Sequence, residues 1–265
     1  MKLVPSLLMV ALLAGCATTP QPATTPTTSP KETLPAETPA PGNHSLAFLK
    51  TDGTKREFLL HAPPDYASGK RYPLVIALHG SGGTPEEMAK MTKLSELADA
   101  KGFVVVYPRS FQDADTIAQF LDHVTPKWGI DPKRIHATGF SAGAATTYVI
   151  AEKLTERFGS VAPVSGSGAG DKVLPAPISL LTFQGGRDRL AQSFASTNSS
   201  WDKAAGCKDE KVTTLTMGGG PTHRYASTCN GGTEHIVYSV TQMGHEWPAE
   251  ASALMWDFFV AHPLR

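Results

Sequence analysis

Residues 134–150 read RIHATGFSAGAATTYVI. Arg134 to Thr138 has the composition and length of a short strand, and Ala142 to Phe158 reads as a helix. Between them Gly139-Phe140-Ser141-Ala142-Gly143 matches G-x-S-x-G, a strand-turn-helix elbow in which small residues allow a strained turn that lifts a hydroxyl above a sheet. The helix N-terminus then stands behind that hydroxyl. Ser141 is accordingly the candidate nucleophile. The competing reading is a tight Gly/Ser turn without chemistry.

Outward from the elbow the pattern repeats. LVIAL at 74–78 and FVVVY at 103–107 are continuous apolar runs of strand length, which suits parallel strands covered on both faces. Between them Thr84-Pro85-Glu86-Glu87 supplies an N-cap, a proline at the first helical position and a capping-box Glu, and Gly102 closes the segment, so one helical crossover is expected. Ile117, Phe120, Leu121 and Val124 recur at helical spacing. Val161 to Val164, Ile178 to Phe183 and Ile236 to Val240 are further strand candidates, and Ala249 to Ala261 reads as a closing helix. Upstream, Leu46 to Leu49 and Phe58 to His61 flank Asp52-Gly53, a dipeptide suited to a hairpin turn. Regular β-α alternation predicts an α/β, doubly wound, mostly parallel central sheet with a leading antiparallel hairpin. No internal repeat is visible, and nothing splits residues 43–265.

A serine hydroxyl needs a base to take its proton and an acid to orient the base. In doubly wound folds with this elbow the chain order is Ser, acid, His. Asp188 follows the Ile178 to Phe183 strand and the Gly185-Gly186 turn, and His245 follows the Tyr238 to Val240 strand end. Asp202 and Asp209 are alternative acids but flank a helix around Trp201. Among the other histidines, His223 falls in a Gly/Pro-rich turn, His235 begins a strand, His136 lies inside one, and His44, His61 and His262 lie near the ends of the domain. Arg187 and Arg189 border Asp188, and either guanidinium could claim its carboxylate. His79-Gly80-Ser81-Gly82-Gly83 follows a strand directly and faces the elbow, so the N–H groups of Ser81 and Ala142 are the candidate oxyanion donors, with Gly82 the alternative to Ser81. Neither phosphate-loop glycine pattern occurs. No paired Cys or His-x-x-x-His spacing supports a metal, and no cofactor is expected.

MKLVPSLLMVALLAG, residues 1–15, is an export signal too short to span a membrane, and Leu13-Ala14-Gly15-Cys16 resembles a bacterial lipobox, whose Cys is acylated. An ordinary secretory signal with a chance Cys is the plainer alternative. Ala17 to Gly42 holds seven Pro and eight Thr with Leu34 its single large apolar side chain, so residues 16–42 read as a lipidated Cys and a semi-extended tether. The expected location is outside the cytoplasm, anchored in the outer membrane or at the cell surface. The chain balances 24 basic against 24 acidic side chains with no basic run, which excludes the electrostatic footprint of a nucleic-acid binder. With Cys16 acylated, Cys207 and Cys229 remain as an even pair outside the cytosol, and a disulfide between them is expected.

Together PLVIALHGSGGT, GFVVVYP, IDPKRIHATGFSAG, the Gly-Gly-Arg-Asp turn, the Cys pair and GHEWP resemble the exported α/β-hydrolase esterases that include polyhydroxybutyrate depolymerases, feruloyl esterases and acetylxylan esterases. The resemblance covers about Thr51 to Pro263. It implies Ser141 as nucleophile, Asp188 as acid, His245 as base, Ser81 and Ala142 as oxyanion donors, and a Cys207–Cys229 bridge. It implies an ester substrate, polyhydroxybutyrate-type, feruloyl or acetyl; a monomer is expected, although no residue pattern speaks to oligomeric state. Trp247 would line the substrate pocket, or else pack under the His loop. The sequence departs from the pattern in a short loop after Tyr107-Pro108, in Arg187 beside the acid, and in Glu246 after the His. A serine peptidase or amidase on the same scaffold, and a non-catalytic surface lipoprotein, are the alternatives.

Overall fold

The computed structural model describes residues 39–67, 69–168 and 177–265. The export signal, Cys16 and nearly all of the tether lie outside the described residues. The chain opens with β1 (Gly42–Leu49) and β2 (Lys55–Ala62), an antiparallel hairpin turning at Asp52-Gly53. It starts several residues earlier than the expected Leu46. After β3 (Tyr72–Leu78) come α1 (Pro85–Thr92) and α2 (Leu94–Lys101), then β4 (Val104–Pro108) and α3 (Ala114–Val124). The elbow joins β5 (Ile130–Phe140) to α4 (Ala142–Lys153). β6 (Ser160–Val164), β7 (Ser179–Gly185), α5 (Ala191–Ala205), β8 (Lys208–Met217), β9 (Gly220–Thr228), β10 (Glu234–Val240) and α6 (Ala251–Ala261) complete the chain.

All ten strands form one sheet in the order β1-β2-β4-β3-β5-β6-β7-β10-β9-β8. The six strands from β4 to β10 in that order are parallel, while β1 with β2 and β9 with β8 form antiparallel margins. Side chains alternate across the pleat, so Leu74, Ile76 and Leu78 face one layer while Val75 and Ala77 face the other. The first layer is covered by α3, α4 and α5 through Ile117, Phe120, Tyr148 and Trp201, and the second by α1, α2 and α6 through Met88, Ala98, Met255 and Phe259. This is the doubly wound arrangement the alternation predicts. Among the described residues no helix is long and apolar enough to cross a membrane.

Three expectations are corrected. The single crossover helix is two helices, because Lys93 turns into the left-handed region at φ 52° and its N–H caps Ala89 O while Thr92 Oγ1 bonds back to Met88 O. The helix begun at Ala142 ends at Lys153, where Leu154 leaves helical geometry at φ −128°, rather than reaching Phe158. The segment holding His223 is no turn but strand β9, in which His223 pairs with Ser239.

Candidate active site

Parallel strands end at the same edge of the sheet, and their loops assemble there. Ser141 stands at the end of β5 with φ 55° and ψ −113°, a conformation that residues other than Gly rarely adopt. Its neighbours explain how so tight a turn is possible. A methyl group on Gly139 would run into Gly143 O, one on Gly143 into Leu78 O, and one on Gly166 into Ala144 Cβ and Ser141 O. The glycines let β5, the loop after β3 and the loop after β6 close around the serine.

His245 follows β10 and reaches across to it. Its Nε2 lies 2.9 Å from Ser141 Oγ, and its Nδ1 lies 2.6 Å from Asp188 Oδ2. Asp188, whose side chain is fully buried, accepts a second bond from Leu190 N–H at Oδ1, 2.9 Å away. Both carboxylate oxygens are thereby committed, and neither Arg187 nor Arg189, both exposed, forms an ion pair with them. Gly185 and Gly186 sit directly under the backbone of Thr241, Met243 and Gly244, so only residues without a side chain admit the His loop this close to Asp188. The phenyl ring of Phe140 packs beside the imidazole at 5.0 Å, and Ser165 Oγ donates to Glu246 O at 3.1 Å. Ser165 is buried with φ 49°. Neither Phe140 nor Ser165 carries a pattern that singles it out in the sequence, because each acts through a tertiary contact.

The loop after β3 packs against the nucleophile. A methyl group on Gly80 would come within 3.3 Å of Ser141 Cβ and of the Phe140 ring. His79 holds the loop in place, with Nδ1 2.8 Å from Gly80 O and Nε2 2.9 Å from Arg109 O. Gly83 N–H closes the turn onto Gly80 O. Ser81, Gly82 and Ala142 line a cavity of about 310 Å³ whose far wall is the short loop Pro108 to Gln112. Asp113 caps the next helix by accepting from Thr116 N–H, so that helix starts before Asp115 and keeps the loop short. Trp247 is half-buried, donates from Nε1 to Ser252 Oγ, and packs on the core layer of Met88 and Trp256.

The remaining candidates go elsewhere. Asp202 sits in the last turn of α5 and bonds His235, while Asp209 lies in β8. His136 is stacked on Phe259, His61 bonds Asn43 and Asp99, His44 bonds Ala40 O, and His262 bonds Phe258 O. Cys207 and Cys229 form a disulfide, as expected. One group of potential metal ligands occurs among the described residues, Asp202, Cys207 and His235, and the sulfur in it belongs to that bridge.

Residues 57–118 match the family described as Esterase PHB depolymerase. The match contains the HGSGG loop and ends before the elbow. A bifunctional acetylxylan esterase/xylanase of Neocallimastix patriciarum is 31% identical over 145 residues, covering 49% of this chain and 21% of the relative. The poly(3-hydroxyalkanoate) depolymerase C of Paucimonas lemoignei is 32% identical over 115 residues, covering 36% and 28%. The feruloyl esterase B of Piromyces equi is 25% identical over 244 residues, covering 77% and 44%. The chain thus spans less than half the length of each of these relatives. Among solved structures, the acetyl xylan esterase from Aspergillus awamori superposes with a TM-score of 0.67 at 18% identity, covering 83% of this chain and 99% of the other. The architecture is the α/β-hydrolase fold, and the esterase resemblance read from the motifs agrees with all of these matches.

Proposed function

We propose that this chain is a serine carboxylic-ester hydrolase that works outside the cytoplasm. The observation that carries the reading is the unbroken run of short contacts from Ser141 Oγ through His245 to a buried Asp188. His245 Nε2 takes the Ser141 proton as the hydroxyl oxygen attacks the ester carbonyl. Asp188 holds the imidazole by Nδ1 and stabilises the imidazolium that forms. Negative charge develops on the carbonyl oxygen, where the N–H groups of Ala142 and Ser81 receive it. The imidazolium then protonates the departing alcohol, leaving an acyl-serine. Water, deprotonated by the same imidazole, releases the acid.

The relatives named above for acetylxylan, feruloyl and hydroxyalkanoate esters support a substrate in that range. The lipobox-like Leu13 to Cys16 supports an acylated Cys16 that anchors the domain to a membrane through its Pro/Thr-rich tether. The test is hydrolysis of p-nitrophenyl acetate, methyl ferulate and a hydroxybutyrate oligomer by the wild type beside Ser141→Ala. Turnover of at least one ester, lost in the variant, is expected. Absence of turnover on all three by folded protein would refute the reading.

A further inference from the structure

A second constellation lies at the start of β10, the end of that strand away from His245. Asp202 belongs to the last turn of α5, Cys207 follows the Gly206 C-cap, Cys229 follows β9, and His235 is the second residue of β10. One donor atom each of Asp202, Cys207 and His235 falls within 4.8 Å of the other two. Cys229 Sγ, bonded to Cys207 Sγ, occupies the same place. His235 has 2% of its side chain exposed; its Nδ1 lies 2.7 Å from Asp202 Oδ1, and its Nε2 is buried with no hydrogen-bond partner among the described residues. One ring nitrogen of His235 is thereby held against a carboxylate, with the Cys207 sulfur inside the same 4.8 Å cluster.

Two sulfurs, an imidazole and a carboxylate make up a donor set that zinc-class cations accept in a four-coordinate shell. Thiolates ligate, whereas disulfide sulfurs do not compete. The ligands come from α5 and from the residues around β9 and β10, so no short sequence spacing announces them. We propose that the Cys207–Cys229 bridge and a bound zinc-class cation are alternative fastenings of the same elements. When the bridge is reduced, Cys207, Cys229, His235 and Asp202 take up one divalent cation. Asp202, 36% exposed, gives the ion its way in.

The exchange balances with a dithiol as reductant. A dithiol thiolate attacks Cys229 Sγ and releases Cys207 as a thiolate. The second dithiol sulfur then closes on the first and releases Cys229. The dithiol is oxidised to its cyclic disulfide, and its two electrons and two protons pass to the cysteines. The cation displaces both cysteine protons to solvent, and the sulfurs separate to about 3.7 Å, as two tetrahedral ligands at about 2.3 Å require.

The experiment reduces the full chain with a dithiol, removes the reagent without oxygen, and titrates Co2+ and Cd2+ while recording thiolate charge-transfer absorbance, with far-UV circular dichroism as the check on folding. Reduced wild type is expected to bind one ion per chain with a tetrahedral cobalt spectrum, and the oxidised chain to show no such bands. His235→Gln and, independently, Asp202→Asn are expected to weaken binding by about 10- to 100-fold while leaving both thiols in place. If reduction unfolds the chain, Zn2+ is expected to restore the fold. The proposal is overturned by a folded reduced chain that binds no ion, by a reduced unfolded chain that zinc does not refold, or by variants that bind as tightly as wild type, which would leave the ion on the cysteines alone.

Discussion

Ser141 is held in a backbone conformation that costs of order 1–3 kcal/mol, and it stays there because Gly139, Gly143 and Gly166 let three segments crowd round it. The strain points Oγ at an imidazole already aligned by Asp188, so the geometry needs no rearrangement before attack. Asp188→Asn keeps the hydrogen-bonding shape yet favours the wrong tautomer of His245. It is expected to lower kcat by about 10,000-fold with little change in KM or in unfolding midpoint, as steady-state kinetics beside thermal denaturation would show. Elsewhere a different histidine contributes to acid stability. Burial pushes His136 down from 6.5 to about 3, against a Ser160 bond that pulls the other way. The unfolded chain takes up a proton at this ring below pH 6.5 and the folded chain does not until near pH 3. Its contribution to stability is therefore whole above pH 6.5 and falls by up to about 1.4 kcal/mol per unit as pH drops toward 3. His136→Gln is expected to reduce the proton uptake on unfolding by one in that window, measured from urea transitions at several pH values. The three triad positions are legible in the sequence because a fixed motif and a fixed chain order place them at strand ends. Ser165 and Phe140 are not, since a serine bonding a carbonyl 81 residues away leaves no local trace.

At the scale of elements, the elbow and the cysteine bridge are the points of least tolerance. Gly143→Ala would press a methyl into the carbonyl of Leu78, separating α4 from β3. The expected result is a loss of esterase activity well beyond the loss of stability, seen as a kcat/KM drop of at least tenfold in protein that still unfolds cooperatively. The Cys207–Cys229 bridge ties the end of α5 to the end of β9 across a separation of 22 residues. Replacing both with Ala is expected to cost about 3 kcal/mol, lowering the thermal midpoint by about 6–12 °C in calorimetry. The bridge was foreseeable from cysteine arithmetic, whereas the hairpin it borders was not. Strand β8, KDEKVTTLTM, is exposed along nearly its whole length, so it lacks the apolar alternation that marks a strand and owes its form to pairing with β9. The break at Lys93 is equally hidden, because Lys carries no helix-stop signal and the turn depends on Thr92 bonding its own backbone.

For the molecule as a whole, burial on both faces decides how much can be read in advance. The strands β3, β4, β6 and β7 are wholly or almost wholly buried, their runs are continuous in the sequence, and the layering follows from them. The strand order, the six parallel neighbours and the gathering of Ser141, Asp188 and His245 at one sheet edge then come from the topology. The leader and tether define a separate expectation. If Cys16 is acylated, Cys16→Ser is expected to move the protein from the membrane pellet to the soluble fraction without altering its hydrolysis of p-nitrophenyl acetate, and unchanged fractionation would dismiss the anchor. The central claim is that Ser141 is the nucleophile poised by His245. Its most direct measurement is reaction with a fluorophosphonate followed by peptide mass mapping. A single adduct on the Ser141 peptide, absent from Ser141→Ala and greatly slowed in His245→Ala, is the expected outcome; an adduct on another residue, or none in folded wild type, would contradict it.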